Sequence, residues 1–380
     1  MDPNPWPRRY KIVALISLAL ATVILGGRVV FFSQSIGSEL FKNADVEIVY
    51  DIDVIGVGGG RITLARSAAT ERAGIWSVES KNAQGQISEI VSSAEISIER
   101  IFRSVSGEFS GGDRIRVVSD VFFGDPEQAH NIDFETVRVV SNVGVLPAWF
   151  IEGDGATWVL YVHGRADAGR AEVLRMLPSL EAQRLPVLVI SYRSDGTAPD
   201  APGSSIGWGY DEWKDLTAAV AFARSKGAEK VILVGTDLGA NIIMTYLHES
   251  ADLSGVAGVV LETPLLNLQA TVDKAAADYG IPGALRPFAE AFVRVRYGVD
   301  WGDVNHMDRA DQFDVPMLLM VGTADPLLTV AAAEDFAVAV PDDFVTVVTF
   351  EAGSHATLWN VDPDAYDAAI LGFIDRFLEN

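Results

Sequence analysis

A chain of 380 residues with 49% hydrophobic content can bury a large core, and it leaves room for two domains or one domain with additions. The formal charge of −23, from 52 acidic and 29 basic residues, argues against nucleic acid as a partner, because such a surface gathers no phosphates. With no cysteine there is no disulfide, thiolate nucleophile or cysteine metal site, and thiols say nothing about compartment.

Residues 1–11 include Arg8, Arg9 and Lys11 and precede an apolar run over 12–32 that only Arg28 and small residues interrupt. A run of that length predicts a transmembrane helix. A cleaved signal peptide is the alternative, but the run continues to Phe32 and no A-x-A site follows. Basic residues before the segment and Glu39 after it place residues 1–11 in the cytoplasm and the rest of the chain outside, anchored to the cell membrane. Arg28 falls near the outer interface, where its side chain can snorkel to the headgroups.

Residues 43–125 alternate short β-like runs, at 46–50, 61–64 and 115–118, with Gly-rich turns at 58–60 and 111–112. The spacing predicts a small β-rich domain. No G-K-S/T follows the glycines at 58–60, so a hairpin turn is expected there and not a phosphate loop.

From 126 to 380 strands alternate with helices, the pattern of a mostly parallel sheet with helices on both faces. Eight strands are expected at 134–140, 146–151, 158–163, 186–192, 230–235, 256–262, 316–322 and 344–351. Helices are expected at 168–183, 210–226, 238–249, 329–340 and 363–378, each with apolar residues at three- and four-residue spacing. The stretch 265–312 is too long for a crossover and is expected to be a lid-like insertion or a peripheral helical pair.

Four pieces carry chemistry. The strand at 158–163 runs into Gly164 and Arg165, whose backbone N–H groups could form half of an oxyanion hole. The strand at 230–235 turns into a helix through G-x-D-x-G, with Gly235 and Gly239 flanking Asp237 and with the Leu238 N–H as the other half. A third strand delivers Asp325 at its C-terminal end, and His355 follows the last one. All lie beyond strand C-termini, where open α/β sheets place their sites.

Other residues are set aside. Glu262 could serve as an alternative acid but suits capping better. His130, His248 and His306 lack ligand spacing, and no metal or cofactor is implied. Trp208, Trp213 and Trp301 read as packing or lid residues, and His163 as a residue that positions backbone. Thr236 has a hydroxyl, but an elbow exposes only its middle residue.

These motifs, with 146–150 (Leu-Pro-Ala-Trp-Phe), 185–193 and 359–363, resemble an α/β-hydrolase of the serine aminopeptidase or lysophospholipase-like group. The chain is especially similar to actinobacterial membrane-anchored members with an N-terminal β extension. The resemblance implies that Asp325 is the triad acid, His355 the base, and Asp237 the occupant of the place where the family has serine. It also implies a precedent, since haloalkane dehalogenases and epoxide hydrolases use aspartate there to attack an sp³ carbon. Against that precedent, Leu238 stands where tryptophan is usual, and nothing shows that Tyr279 and Tyr297 converge as paired cap tyrosines.

Three expectations stay open. The first is a hydrolase of a small-molecule substrate, ester-type or carbon-electrophile, for which an anchored position points to lipid or cell-envelope esters. The second is a pseudo-hydrolase that binds a ligand or partner, its carboxylate having paired with His355 and raised the histidine pKa. In the third, Asp237 and His355 activate water directly.

Overall fold

The computed structural model describes residues 48–165, 169–200, 206–278, 280–300 and 302–378, with scattered positions between 10 and 34. Residues 1–9 and several positions of the expected span 12–32 lie outside the described residues. Those described between 12 and 31 are helical and exposed. Among the described residues no helix is long and apolar enough to cross a membrane.

The first six strands are β1 (Ile52–Gly58), β2 (Arg61–Ala65), β3 (Trp76–Glu79), β4 (Gln84–Ser93), β5 (Ser97–Ser106) and β6 (Arg114–Val118). They close into a barrel in the order β1-β2-β5-β4-β3-β6. Closure leaves no sheet edge unpaired, and alternate residues such as Ile62, Leu64, Val78, Ile87 and Ile115 fill the interior. Of the strand expected at 46–50, residues 46 and 47 lie outside the described residues and 48–50 are irregular; the first described strand begins at Ile52. Gly59 and Gly60, with φ of 60° and 73°, form the two-residue turn between β1 and β2, since positive φ at both central positions matches the strand twist.

Arg100 is fully buried, and among the described residues it has no carboxylate partner. Its guanidinium donates instead to the carbonyls of Thr70 (3.1 Å), Arg72 (2.7 Å), Gly74 (2.7 Å) and Ser88 (2.7 Å), and burial lowers its pKa to about 10. The loop so held docks on the second domain. Asn360 Nδ2 donates to the carbonyls of Ile75 and Ser119, both at 2.8 Å, and Ile75 N–H donates to the Asn360 carbonyl at 2.7 Å. Gly74, at φ 91°, allows this approach, because a Cβ there would run into the Asn360 carbonyl.

The second domain is built on β7 (Glu135–Ser141), β8 (Gly144–Ile151), β9 (Thr157–Val162), β10 (Val187–Ile190), β11 (Lys230–Thr236), β12 (Val256–Glu262), β13 (Met317–Gly322) and β14 (Val345–Phe350). They form one sheet in the order β14-β13-β12-β11-β9-β10-β8-β7. All pairs from β10 to β14 are parallel, while β8 runs antiparallel to both of its neighbours. The two-residue period of β9 sends Trp158, Leu160 and Val162 into the core on one face and Val159 and Tyr161 into the core on the other. Both faces are therefore covered, which is why the central strands read as near-continuous apolar runs.

The helix expected at 168–183 is broken into a 3₁₀ segment, Gly169–Arg175, and a short α-helix, Leu177–Ala182. Pro178 has no N–H to continue the ladder and is accepted only in the first turn of a new helix. The insertion consists of the helices Leu268–Asp278 and Arg286–Tyr297 and the 3₁₀ segments Gly283–Leu285 and Met307–Gln312.

Candidate active site

β11 ends at Thr236, and the helix Leu238–Glu249 begins two residues later, with only Asp237 between. The turn is that tight because Asp237 adopts φ 49° and ψ −116°, a sparsely populated conformation that stores roughly 1–3 kcal/mol of strain. Two contacts make the glycines necessary. A Cβ on Gly239 would run into the Val162 carbonyl, and one on Gly235 would lie 2.6 Å from the Gly239 carbonyl carbon. Asp237 N–H donates to the Glu262 carbonyl at 2.9 Å, which pins the elbow to β12.

The three acidic and basic residues singled out in the sequence come together. His355 Nε2 lies 3.1 Å from Asp237 Oδ1, and its Nδ1 lies 3.0 Å from Asp325 Oδ2. Asp325 is held by its other oxygen, which accepts the N–H groups of Leu327 (2.7 Å) and Leu328 (3.0 Å). The His355 loop is fixed by Ala356 N–H, which donates to Thr263 Oγ1 at 3.2 Å.

Asp237 Oδ2 accepts the Arg165 N–H at 3.3 Å and lies 3.6 Å from Arg165 Nε. The Arg165 guanidinium in turn rests over the ring of Trp208, 4.4 Å from its centroid. Trp208 is fully buried and acts as the platform for that arginine. Leu238 opens the helix, so its N–H belongs to the first turn, whose donors have no partner within the helix.

Gly164 differs from expectation. Its N–H donates to Glu172 Oε2 at 2.8 Å and so is turned away from the elbow. Glu262 differs as well: it neither caps a helix nor approaches His355. Its Oε2 accepts from Thr236 Oγ1 (3.0 Å), Tyr366 OH (2.8 Å) and the Arg175 guanidinium. Arg175 also donates to Thr236 Oγ1 (2.9 Å) and the Ala356 carbonyl (3.3 Å), while Tyr161 OH donates to Glu172 at 3.1 Å. Buried Arg175 thus ties the elbow to the His355 loop, and Glu172, 3.8 Å from it, reaches the strand before Gly164 through Tyr161.

Electrostatics follow from this packing. Burial works to lower the His355 pKa, but hydrogen bonds to Asp237 and Asp325, and their charges, override it and raise the value from 6.5 to about 10. Burial works to raise the Asp237 pKa, and His355 and Arg165 override it, leaving it lowered. The resting pair is an imidazolium between two carboxylates. A raised histidine pKa stabilises the fold fully below 6.5, and that contribution is lost as pH rises through about 10. The ¹⁵N shifts of His355 should therefore report a doubly protonated ring at pH 8, and unfolding by urea should become easier as pH approaches 10. A neutral ring at pH 8 would contradict the pairing.

The histidines set aside lie elsewhere. His248 and His306 stack with centroids 5.7 Å apart beside Phe313, and burial lowers the His248 pKa to about 3. His130 Nε2 lies 2.8 Å from the Leu174 carbonyl. His163 stacks on Tyr192 at 4.5 Å, with Nε2 3.3 Å from Asp195. Among the described residues no group of three or more His, Cys, Asp or Glu could hold a metal ion.

Two cavities adjoin the site. One, of about 670 Å³, lies between barrel and sheet domain and is lined by Arg72, Glu79, Arg116, Phe122, Arg165 and Thr357. The other, of about 420 Å³, lies under the insertion and includes Leu265, Leu266, Ala270, Leu327 and Leu328. The barrel's share in the first wall had no counterpart in the sequence reading, and no motif in residues 43–125 signals it.

An eight-stranded, mostly parallel sheet with a strained elbow, an acid and a histidine at its strand ends defines the α/β-hydrolase class. The model of the Alpha/beta hydrolase family matches residues 159–369, more than half of the chain, and the chain belongs to that family. The barrel lies outside the matched residues. A search of the curated proteins gives no significant match. Among solved structures, the Pyrococcus furiosus esterase Pf2001 is similar with a TM-score of 0.53 and 18% identity, over 67% of this chain and 94% of that one. A second crystal form of the same esterase gives a TM-score of 0.50 at 18% identity, over 67% of this chain and 96% of that one. At such identity the likeness shows the fold alone.

Proposed function

We propose that the chain is a hydrolase that opens carbon electrophiles through an ester on Asp237. The observation that carries this reading is the placement of one carboxylate: Oδ2 lies against the Arg165 N–H and Oδ1 faces His355. In the first step Oδ1 attacks an sp³ carbon and the leaving group departs with the bonding electrons. An oxygen leaving group takes its proton from the His355 imidazolium; a halide needs none, and the imidazolium sheds its proton to solvent.

Ester formation removes the charge on Asp237, and with it part of what keeps His355 protonated. The neutral imidazole then takes a proton from water, and the hydroxide adds to Cγ of Asp237. The oxyanion forms at Oδ2, beside the Arg165 N–H. Collapse breaks the ester bond to the alkyl oxygen, which takes the proton from His355. The carboxyl that remains gives its proton to the ring, restoring the starting pair. No cofactor is required.

The same imidazolium favours a second reading, a ligand-binding protein in which Asp237 and His355 neutralise one another. An acyl-transfer reaction needs a nucleophilic hydroxyl and a free base, and here the elbow offers neither. Single turnover in ¹⁸O-water separates the readings, with haloalkanes, epoxides, alkyl sulfonates and p-nitrophenyl esters as substrates. The expected result is label in the Asp237 carboxylate. Turnover with label only in the product would point to direct water attack, and no turnover on any class would leave the binding role.

The anchored arrangement is part of the proposal. The apolar composition of 12–32 and the basic residues before it support a single span, with residues 43–380 outside the cell membrane. An enzyme held there would meet lipids and envelope esters first.

A further inference from the structure

Among the described side chains of the helix Arg286–Tyr297, Arg286, Glu290 and Tyr297 are half-buried. Glu290 is part-buried and its carboxyl meets Asp273 and Gln269, on the helix Leu268–Asp278. The opposite face carries Phe288, Ala291 and Val295 at three- and four-residue spacing, with Phe288 68% and Val295 87% exposed. Amphipathic helices in water turn that face to the core. Arg294, ion-paired with Asp300, and Arg296 flank the ridge and are also exposed, on a chain whose net charge is −23.

A second observation bears on what could cover the ridge. Arg28, at the outer end of the apolar segment 12–32, donates from Nη2 to the Gly280 carbonyl at 3.1 Å. Gly280 lies in the connection between the two helices of the insertion. The apolar segment thus touches the insertion at the loop that leads toward the helix carrying the ridge, and the arginines beside the ridge match the charge of anionic headgroups.

We propose that Arg286–Tyr297 lies on an anionic bilayer surface, with Phe288 and Val295 among the acyl chains and Arg294 and Arg296 at the headgroups. The inference rests on the anchored reading of 12–32, and it adds a substrate class to the proposed hydrolase. The apolar cavity under the insertion would then open beside the bilayer, so amphiphiles would reach the site without crossing bulk water.

The absence of cysteine makes single labels clean. Full-length Phe288→Cys, Val295→Cys, Leu20→Cys and Val338→Cys would each carry an environment-sensitive fluorophore, in vesicles of phosphatidylcholine with phosphatidylglycerol. The labels at 288 and 295 should be blue-shifted and quenched by acyl-chain nitroxides, and the shift should shrink without phosphatidylglycerol. Position 20 should be quenched in both lipids, and 338, on the helix Val330–Ala339, in neither.

Quenching at 20 with solvent-like emission at 288 and 295 would overturn the inference and keep the anchor. Quenching at 288 and 295 but not at 20 would keep the surface contact and remove the anchor. A blue shift that follows protein density and resists lipid-borne quenchers would mean that a second copy covers the ridge, and would also overturn the inference.

Discussion

In a His355→Gln variant, an alkylated Asp237 should accumulate. The first step needs only the carboxylate when the leaving group is a halide or sulfonate, whereas hydrolysis of the ester needs a base beside Cγ. Steady-state turnover should fall roughly 10²–10⁴-fold, the range of lost general acid–base catalysis, while the burst of leaving group survives. Intact-mass measurement would show an adduct of the alkyl group, and peptide mapping would place it at Asp237. Asp237→Asn should abolish burst and adduct together. Loss of turnover in His355→Gln without any adduct would remove the covalent route.

Arg175→Met should cost about 3–5 kcal/mol, the range measured when one member of a buried ion pair is removed. Methionine fills much of the volume, so the loss would come from charge. Glu262 would keep its carboxylate in a buried site with Tyr366 and Thr236 as partners, and Glu172, whose pKa burial already pushes up, would lose its nearest cation. Urea denaturation would measure the change. Arg175→Met combined with Glu262→Gln should recover part of it, because the stranded charge goes with its partner. Equal stability of the single and double variants would show that the carboxylate at Glu262 is not what the arginine holds.

The elbow was legible because backbone geometry writes itself into composition. Only glycine fits at Gly235 and Gly239, so two letters betray the turn. The central strands were legible because burial on both faces demands unbroken apolar runs. What joins distant parts was not. Arg175 and Glu262 are 87 residues apart, and neither has a neighbour that announces the other. The same holds for Gly164, whose N–H is claimed by Glu172, and for Trp208, whose task depends on where Arg165 comes to rest. Helix Arg286–Tyr297 shows the limit of periodicity. Its spacing identifies an apolar face, but only the packing shows that this face is turned outward.

The contact between Asn360 and the barrel bears on modularity. Asp237 and Asp325 take their positions from the sheet, but His355 precedes the short helix Leu358–Val361, which carries Asn360. Through that helix the imidazole is registered in part against Ile75 and Ser119. The two domains are therefore not interchangeable parts. Grafting another domain in place of residues 52–118 would leave two members of the site where they are and shift the reference point of the third.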